Sequence, residues 1–116
     1  MFYFPSPSTW ARPYPPVDPA IFSQSAATAQ TLMNDASAVL KKLAESRSFA
    51  ASVMSAAQEG KTEDVKRLIR SLGIRSQTEV YFNPDGIRLT LSPPPSAFPC
   101  CQLVIGLRWN VFPPFR

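Results

Sequence analysis

The sequence predicts an α+β domain in which N-terminal helices pack on one face of a three-stranded antiparallel meander. Apolar residues recur every three or four positions as far as Leu72, and from Gln77 onward they alternate with polar residues. Proline and aromatic residues crowd both ends of the chain. We therefore expect one domain over 19–110, flanked by extended arms over 1–18 and 111–116.

Three helices are expected, over about 19–45, 48–58 and 62–72. Asp18 suits the cap position of the first helix, and Thr62 suits that of the third. The first helix is expected to bury a stripe at alternating steps of four and three residues, widened by three further aliphatic residues: Phe22, Ala26, Ala29, Met33, Ala36 and Leu40, with Leu32, Val39 and Leu43.

Three strands are expected, over about 77–82, 87–92 and 100–109. A turn at residues 83–86 joins the first two into a hairpin, and the Pro93-Pro94-Pro95 run forces an extended connector before the third. Such a sheet keeps two edges, which could accept a strand or an arm from a neighbouring subunit.

The terminal arms combine proline with aromatic side chains. Proline excludes helix and interior strand, and exposed aromatic surface is costly in water, so the arms need a surface to lie on. The alternatives are a proline-rich ligand for an SH3-like groove and a flexible tail. Docking on sister molecules is favoured, with these anchors: Phe2, Tyr3, Phe4, Trp10, Tyr14, Phe112 and Phe115.

The composition argues against several function classes. Histidine is absent, the carboxylates are scattered, and the four glycines form no phosphate-binding loop, so we expect no enzyme and no cofactor. The two cysteines fall short of a metal site. No stretch approaches the length of a membrane span, and the N-terminus lacks a secretory signal pattern.

The adjacent cysteines, Cys100 and Cys101, are candidates for cross-linking subunits. A bond between the two neighbours is disfavoured, because adjacent Cα atoms lie closer together than those of ordinary disulfides. Strand alternation predicts one sulfur in the core and one outside. The alternative is that Cys101 is a small buried hydrophobe and Cys100 an ordinary surface thiol.

A basic set on and after the third helix supports an alternative function, in which the protein is a binding module for nucleic acid or an acidic protein. The set comprises Lys61, Lys66, Arg67, Arg70 and Arg75, in a chain of net charge +4. The same residues also suit a solvated helix face, because Glu63 lies at pairing distance from Lys66 and Arg67. No nucleic-acid-binding motif accompanies them, so nucleic acid is the less favoured partner.

Five short stretches carry a family resemblance: Tyr14-Pro15-Pro16-Val17-Asp18-Pro19, Met54-Ser55-Ala56-Ala57-Gln58, Gly73-Ile74-Arg75-Ser76, Pro84-Asp85-Gly86-Ile87 and Leu107-Arg108-Trp109. With these, the chain resembles small inner-spore-coat proteins of endospore-forming bacilli. The resemblance implies a structural protein made in the mother-cell cytoplasm and deposited on the spore, with other coat proteins as partners and no catalytic residues.

The sequence therefore predicts a self-assembling structural protein of the spore coat or of a spore-associated filament. Its partner is expected to be itself, in a homo-oligomer or polymer joined through the arms and the sheet edges. The resemblance runs from about Tyr14 to Trp109, and the long Trp- and Pro-containing N-terminal arm and the Phe112-Pro113-Pro114-Phe115 tail depart from the family pattern, which leaves coat layer and filament both open.

Overall fold

The computed structural model describes residues 16–109. The elements are α1 (Ala20–Glu45), α2 (Arg47–Gln58), α3 (Thr62–Arg70), β1 (Gln77–Asn83), β2 (Gly86–Ser92) and β3 (Leu103–Arg108). The strands form one antiparallel sheet in the order β1-β2-β3. The predicted α+β fold is confirmed, while the predicted terminal arms lie almost entirely outside the described residues.

Local hydrogen bonds explain where the first two helices begin. Pro19, and not Asp18 as expected, occupies the cap position of α1, but the Asp18 carboxylate accepts a hydrogen bond from the backbone N–H of Ala20 at 3.0 Å. The Ser46 hydroxyl accepts one from the backbone N–H of Phe49 at 3.1 Å and so caps α2. Thr62, which we expected to cap the third helix, is instead its first residue.

Three glycines occupy positions where another residue would be strained. Gly60 and Gly73 follow α2 and α3 with φ of 72° and 84°, the left-handed conformation that commonly ends a helix. Gly86 opens β2, and a Cβ at this position would collide with the backbone carbonyl oxygen of Leu107 on β3. The close approach of β2 and β3 therefore depends on Gly86.

The hairpin turn between β1 and β2 lies where the sequence predicted it. The Asn83 side-chain oxygen accepts hydrogen bonds from the backbone N–H groups of Asp85 at 2.8 Å and Gly86 at 3.1 Å. The resulting register pairs Val80 with Leu89, and Leu89 in turn with Ile105. Alternate residues of all three strands therefore face the helices.

The core lies between the helices and this inner face of the sheet. Its buried members come from all three helices and from the central strand: Ala36, Val39, Val53, Ala56, Ala57, Val65, Ile69, Ile87, Leu89 and Leu91. A polar contact also joins α1 to the start of β1. There the Asp35 carboxylate accepts hydrogen bonds from the backbone N–H of Ser76, at 3.1 Å, and from its hydroxyl.

The predicted inner face of α1 is partly wrong. The three residues that were expected to widen the stripe face the interior: Leu32, Val39 and Leu43. Ala36, a member of the stripe itself, is also buried. The remaining stripe members do not reach the core. They are half-exposed or exposed, and Phe22 retains 81% of its surface in contact with solvent.

Helix length explains this departure. A helix of 26 residues is about 39 Å long, whereas a strand of seven residues spans about 23 Å. Asp35 already lies at one end of the sheet, beside Ser76, so the residues that precede it extend beyond the strands. We call residues 20–31 the projecting half of α1 and residues 32–45 its supported half.

The third strand begins three residues later than predicted. Cys100 and Cys101 lie in the connector before β3, and both are half-buried, so the expected alternation between core and surface does not apply to them. The proline run starts as an extended connector, in which the Pro93 carbonyl accepts a hydrogen bond from the Gln77 side-chain amide at 2.9 Å.

Candidate assembly surface

Large apolar side chains remain exposed on α1 to an unusual degree for a folded domain. Ile21, Phe22 and Met33 each keep more than half of their surface, and Leu40 keeps 38%. Phe22, Met33 and Leu40 share one face of the helix, and an exposed apolar face is a feature of interaction sites. We call Phe22, Ala26, Ala29, Met33, Ala36 and Leu40 the α1 stripe.

The supported end of the α1 stripe borders a groove between α1 and β3. Met33, Leu40 and Ala44 line it from the helix, and Leu103 and Ile105 line it from the strand. The groove is open to solvent and has a volume of about 610 Å³. It runs along an edge of the sheet, because β3 pairs with β2 on one side and with no other described strand.

Charge is absent from the whole projecting half. From Ala20 to Asn34 the sequence contains no Asp, Glu, Lys or Arg. The first charged side chain, Asp35, is engaged by Ser76 of the same chain. A partner that covers this part of α1 would therefore bury no ionised group from it and would avoid the cost of desolvating a charge.

The sequence pattern contained a signal for this surface that the prediction did not use. A periodic stripe on a helix longer than the strands beneath it cannot be buried along its whole length by the same sheet. From Phe22 to Met33 the polar residues between the stripe positions are uncharged, whereas solvated helix faces are usually charged.

The predicted arm anchors lie outside the described residues: Phe2, Tyr3, Phe4, Trp10, Tyr14, Phe112 and Phe115. The described chain approaches the N-terminal arm at Val17, which is 91% exposed, and approaches the C-terminal arm at Trp109. Trp109 is held at the hairpin turn by two hydrogen bonds. Its indole N–H donates to the Pro84 carbonyl at 3.2 Å, and its backbone N–H donates to the backbone carbonyl of Asp85 at 3.1 Å.

The two cysteines are joined to each other in the structure as a vicinal disulfide. Their Cα atoms are 3.8 Å apart, the usual spacing of adjacent residues. The two sulfurs thus lie together within one chain, an arrangement that the sequence did not suggest. Its geometric reason is that both residues lie in an irregular connector, where neighbouring side chains need not point to opposite faces.

Three of the five basic residues of the alternative binding surface are paired with carboxylates. Lys61 lies 3.0 Å from Glu59, whose hydrogen bond and negative charge raise the pKa of the lysine. Lys66 lies 3.8 Å from Glu63 and 3.3 Å from Glu79. These pairs reduce the positive potential that a phosphate backbone would meet.

Arg67 also forms an ion pair, with Asp64 and not with Glu63 as the spacing suggested. Arg70, the last residue of α3, and Arg75, in the segment that follows it, are both exposed. The described contacts therefore favour a solvated, ion-paired helix face over a nucleic-acid interface.

Two further classes of site were sought in residues 16–109. No helix in that range is both long and apolar enough to cross a lipid bilayer. Within the same range, no group of three or more His, Cys, Asp or Glu residues is arranged to hold a metal ion.

Comparison with known proteins agrees with the resemblance seen in the sequence. Residues 19–102 match the family described as YuzC spore coat inner layer protein. A relative, the YuzC protein of Bacillus subtilis (strain 168), is 33% identical over 89 residues, which cover 77% of this chain and 69% of the relative. No solved structure matches. The chain belongs to the YuzC family of spore coat inner-layer proteins.

Proposed function

We propose that this protein is a non-catalytic building block that assembles with copies of itself in the inner layer of the spore coat. Family membership supports the location and the structural role. The observation that carries the self-assembly is the amount of apolar surface that the folded domain leaves uncovered on α1 and in the groove beside β3. Covering an uncharged, apolar face removes apolar area from water and so favours association.

The terminal arms supply the links between subunits in this proposal. Burying one aromatic side chain contributes about 1.5–3 kcal/mol, so several aromatic anchors can hold a neighbouring copy against the entropy lost on association. The anchors are those expected from the sequence: Phe2, Tyr3, Phe4, Trp10, Tyr14, Phe112 and Phe115. Whether the assembly grows as a layer or as a filament depends on where these anchors dock.

The cysteine pair offers a way to make such links covalent. A thiolate from a reduced copy can attack the Cys100–Cys101 bond of another copy, which forms one intersubunit disulfide and releases one thiolate. This exchange needs no added oxidant, because the number of disulfides is unchanged. It predicts oligomers that survive denaturing electrophoresis and disappear when a reductant is added.

The proposal is tested on the full chain by replacing the five aromatic residues of the N-terminal arm with serine. We expect loss of the larger assemblies in light scattering and negative-stain microscopy, with an unchanged far-UV circular dichroism spectrum. A control variant replaces Pro5 and Pro7 with alanine and keeps every aromatic residue. Assemblies of unchanged size in the aromatic-to-serine variant would contradict the role of the arm.

A further inference from the structure

We propose that α1 pairs antiparallel with α1 of a second copy, so that the projecting half of each helix lies in the groove between α1 and β3 of the other. This contact is separate from the terminal arms and goes beyond the proposed function. In this pair, the projecting half of α1 fills the partner's groove and is itself covered by the partner.

The spacing of the α1 stripe is the first support. Its steps of four, three, four, three and four residues average about 3.6, the repeat of the α-helix itself, so the six positions form one face along which a second helix can lie. The series also reads the same in both directions about residue 31. In an antiparallel pair with its two-fold axis there, Phe22 faces the partner's Leu40, and Ala29 faces the partner's Met33.

The side chains of the α1 stripe also complement each other in size. Ala26 comes to the level of the partner's Ala36, which is already buried in its own core, and the small side chains at this level allow the helix backbones to approach closely. Phe22 is the most exposed member, and it meets the groove where Leu40, Leu103 and Ile105 provide an apolar floor. Every large side chain of the stripe thus gains an apolar neighbour.

Helix direction and charge favour antiparallel over parallel pairing. An antiparallel pair sets the positive N-terminal end of each helix dipole beside the negative C-terminal end of the other. It also brings Asp18, at the start of one α1, to the end where the other carries Lys41 and Lys42. A parallel pair would place like ends together and leave both grooves empty.

The projecting half also needs a partner for its own stability. A helix of about 12 residues is marginal in water unless packing supports it. The projecting half has no sheet beneath it, and no charged side chain to form intrahelical ion pairs. A second copy supplies the missing packing and keeps the continuous helix of 26 residues intact.

Cysteine cross-linking on the full chain tests the direction of pairing, in a background where Cys100 and Cys101 are serine. One variant carries Ala29→Cys, and a second, size-tagged variant carries Met33→Cys. These positions lie at the same level of the antiparallel pair, so the mixture is expected to form a mixed disulfide dimer. Ala26→Cys alone should not link to itself, because its two copies lie about 15 Å apart along the axis. Efficient self-linking of Ala26→Cys, or no mixed dimer, would overturn the proposal.

Charge substitution tests the contact without any cross-link. We expect Phe22→Glu to weaken the dimer, measured by analytical ultracentrifugation at low concentration, roughly thirtyfold or more. Gln24→Glu is the matched control, since it adds the same charge to the projecting half at an exposed position on the opposite side of the helix from the stripe. Equal dimer affinity in the two variants would exclude the α1 contact and leave the groove to a terminal arm.

These outcomes are independent of the arm experiment above. Loss of large assemblies when the arm aromatics are replaced tests the proposed function, whereas the mixed disulfide reports on the pair itself. A retained pair with lost assemblies, or the reverse, therefore identifies which of the two contacts is absent.

Discussion

The two halves of α1 have the same backbone and nearly the same apolar content but opposite surroundings. The supported half buries Ala36 and Val39 against the sheet, while the projecting half leaves Ile21 and Phe22 in solvent. The difference arises from the sheet, whose strands are about half as long as the helix. One amphipathic pattern can thus specify an internal core and a solvent-exposed apolar face within a single helix.

The largest expected effect is the difference between substitutions in the two halves in how much they lower the free energy of unfolding. Val39→Ala removes two buried methyl groups from the core and is expected to lower the free energy of unfolding by about 2–3 kcal/mol. Phe22→Ala, in the projecting half, should change the stability of the dissociated chain by less than about 0.5 kcal/mol. Urea titrations at low protein concentration measure both. Similar losses would mean that Phe22 is covered by its own chain.

A second prediction concerns the boundary between the halves. Asp35→Ala leaves the buried Ser76 backbone N–H and hydroxyl without their acceptor, which is expected to cost about 1–3 kcal/mol. Ser76→Ala is the control, since it removes the hydroxyl alone and retains the backbone hydrogen bond. Chemical denaturation of both variants should rank Asp35→Ala as the more destabilised. The reverse order would show that the contact does not anchor α1.

A smaller loss of stability is expected from a substitution at the end of the supported half. Ser46→Ala removes the side-chain cap of α2, and the expected loss is about 1 kcal/mol. Ser52→Ala serves as the comparison, because Ser52 lies in the interior of the same helix, where its hydroxyl bonds the Ser48 carbonyl. Thermal unfolding followed by circular dichroism should show a clear shift for the first variant and little for the second.

The smallest expected effect contrasts the uncharged α1 surface with the charged surface of α3. Arg67→Gln breaks an exposed ion pair with Asp64, so the stability change should stay within about 0.5 kcal/mol and shrink as salt is added. The same variant should also leave the assembly state unchanged. A change in assembly caused by Arg67→Gln would show that α3 takes part in subunit contacts.

The sequence was sufficient to predict the elements of the fold and their order. Its two periods, near 3.6 and near 2, determine which segments are helices and which are strands. The Asn83–Gly86 turn was predictable because its side-chain hydrogen bonds are local in the chain. The start of β3 was not, because it depends on where the proline connector returns to the sheet.

The candidate surface was harder to predict for a physical reason. A helical stripe shows which residues share one apolar face, but it does not show what that face packs against. Phe22 and Ala36 belong to one pattern, yet one is exposed and the other buried. That difference depends on the three-dimensional extent of the sheet, which no local window of sequence contains. Likewise, Arg67 pairs with Asp64 and not with Glu63, because the pairing depends on side-chain geometry that spacing along the sequence does not resolve.

The position of Trp109 has a consequence for how a polymer could extend. Its two hydrogen bonds tie the exit of the C-terminal segment to the hairpin turn, whereas α1 points away from the opposite end of the strands. The described chain therefore begins and ends at opposite poles of the fold. In the assembly proposed above, such a unit would be divalent, and a two-fold α1 pair would still offer its two Trp109 ends outward to further copies.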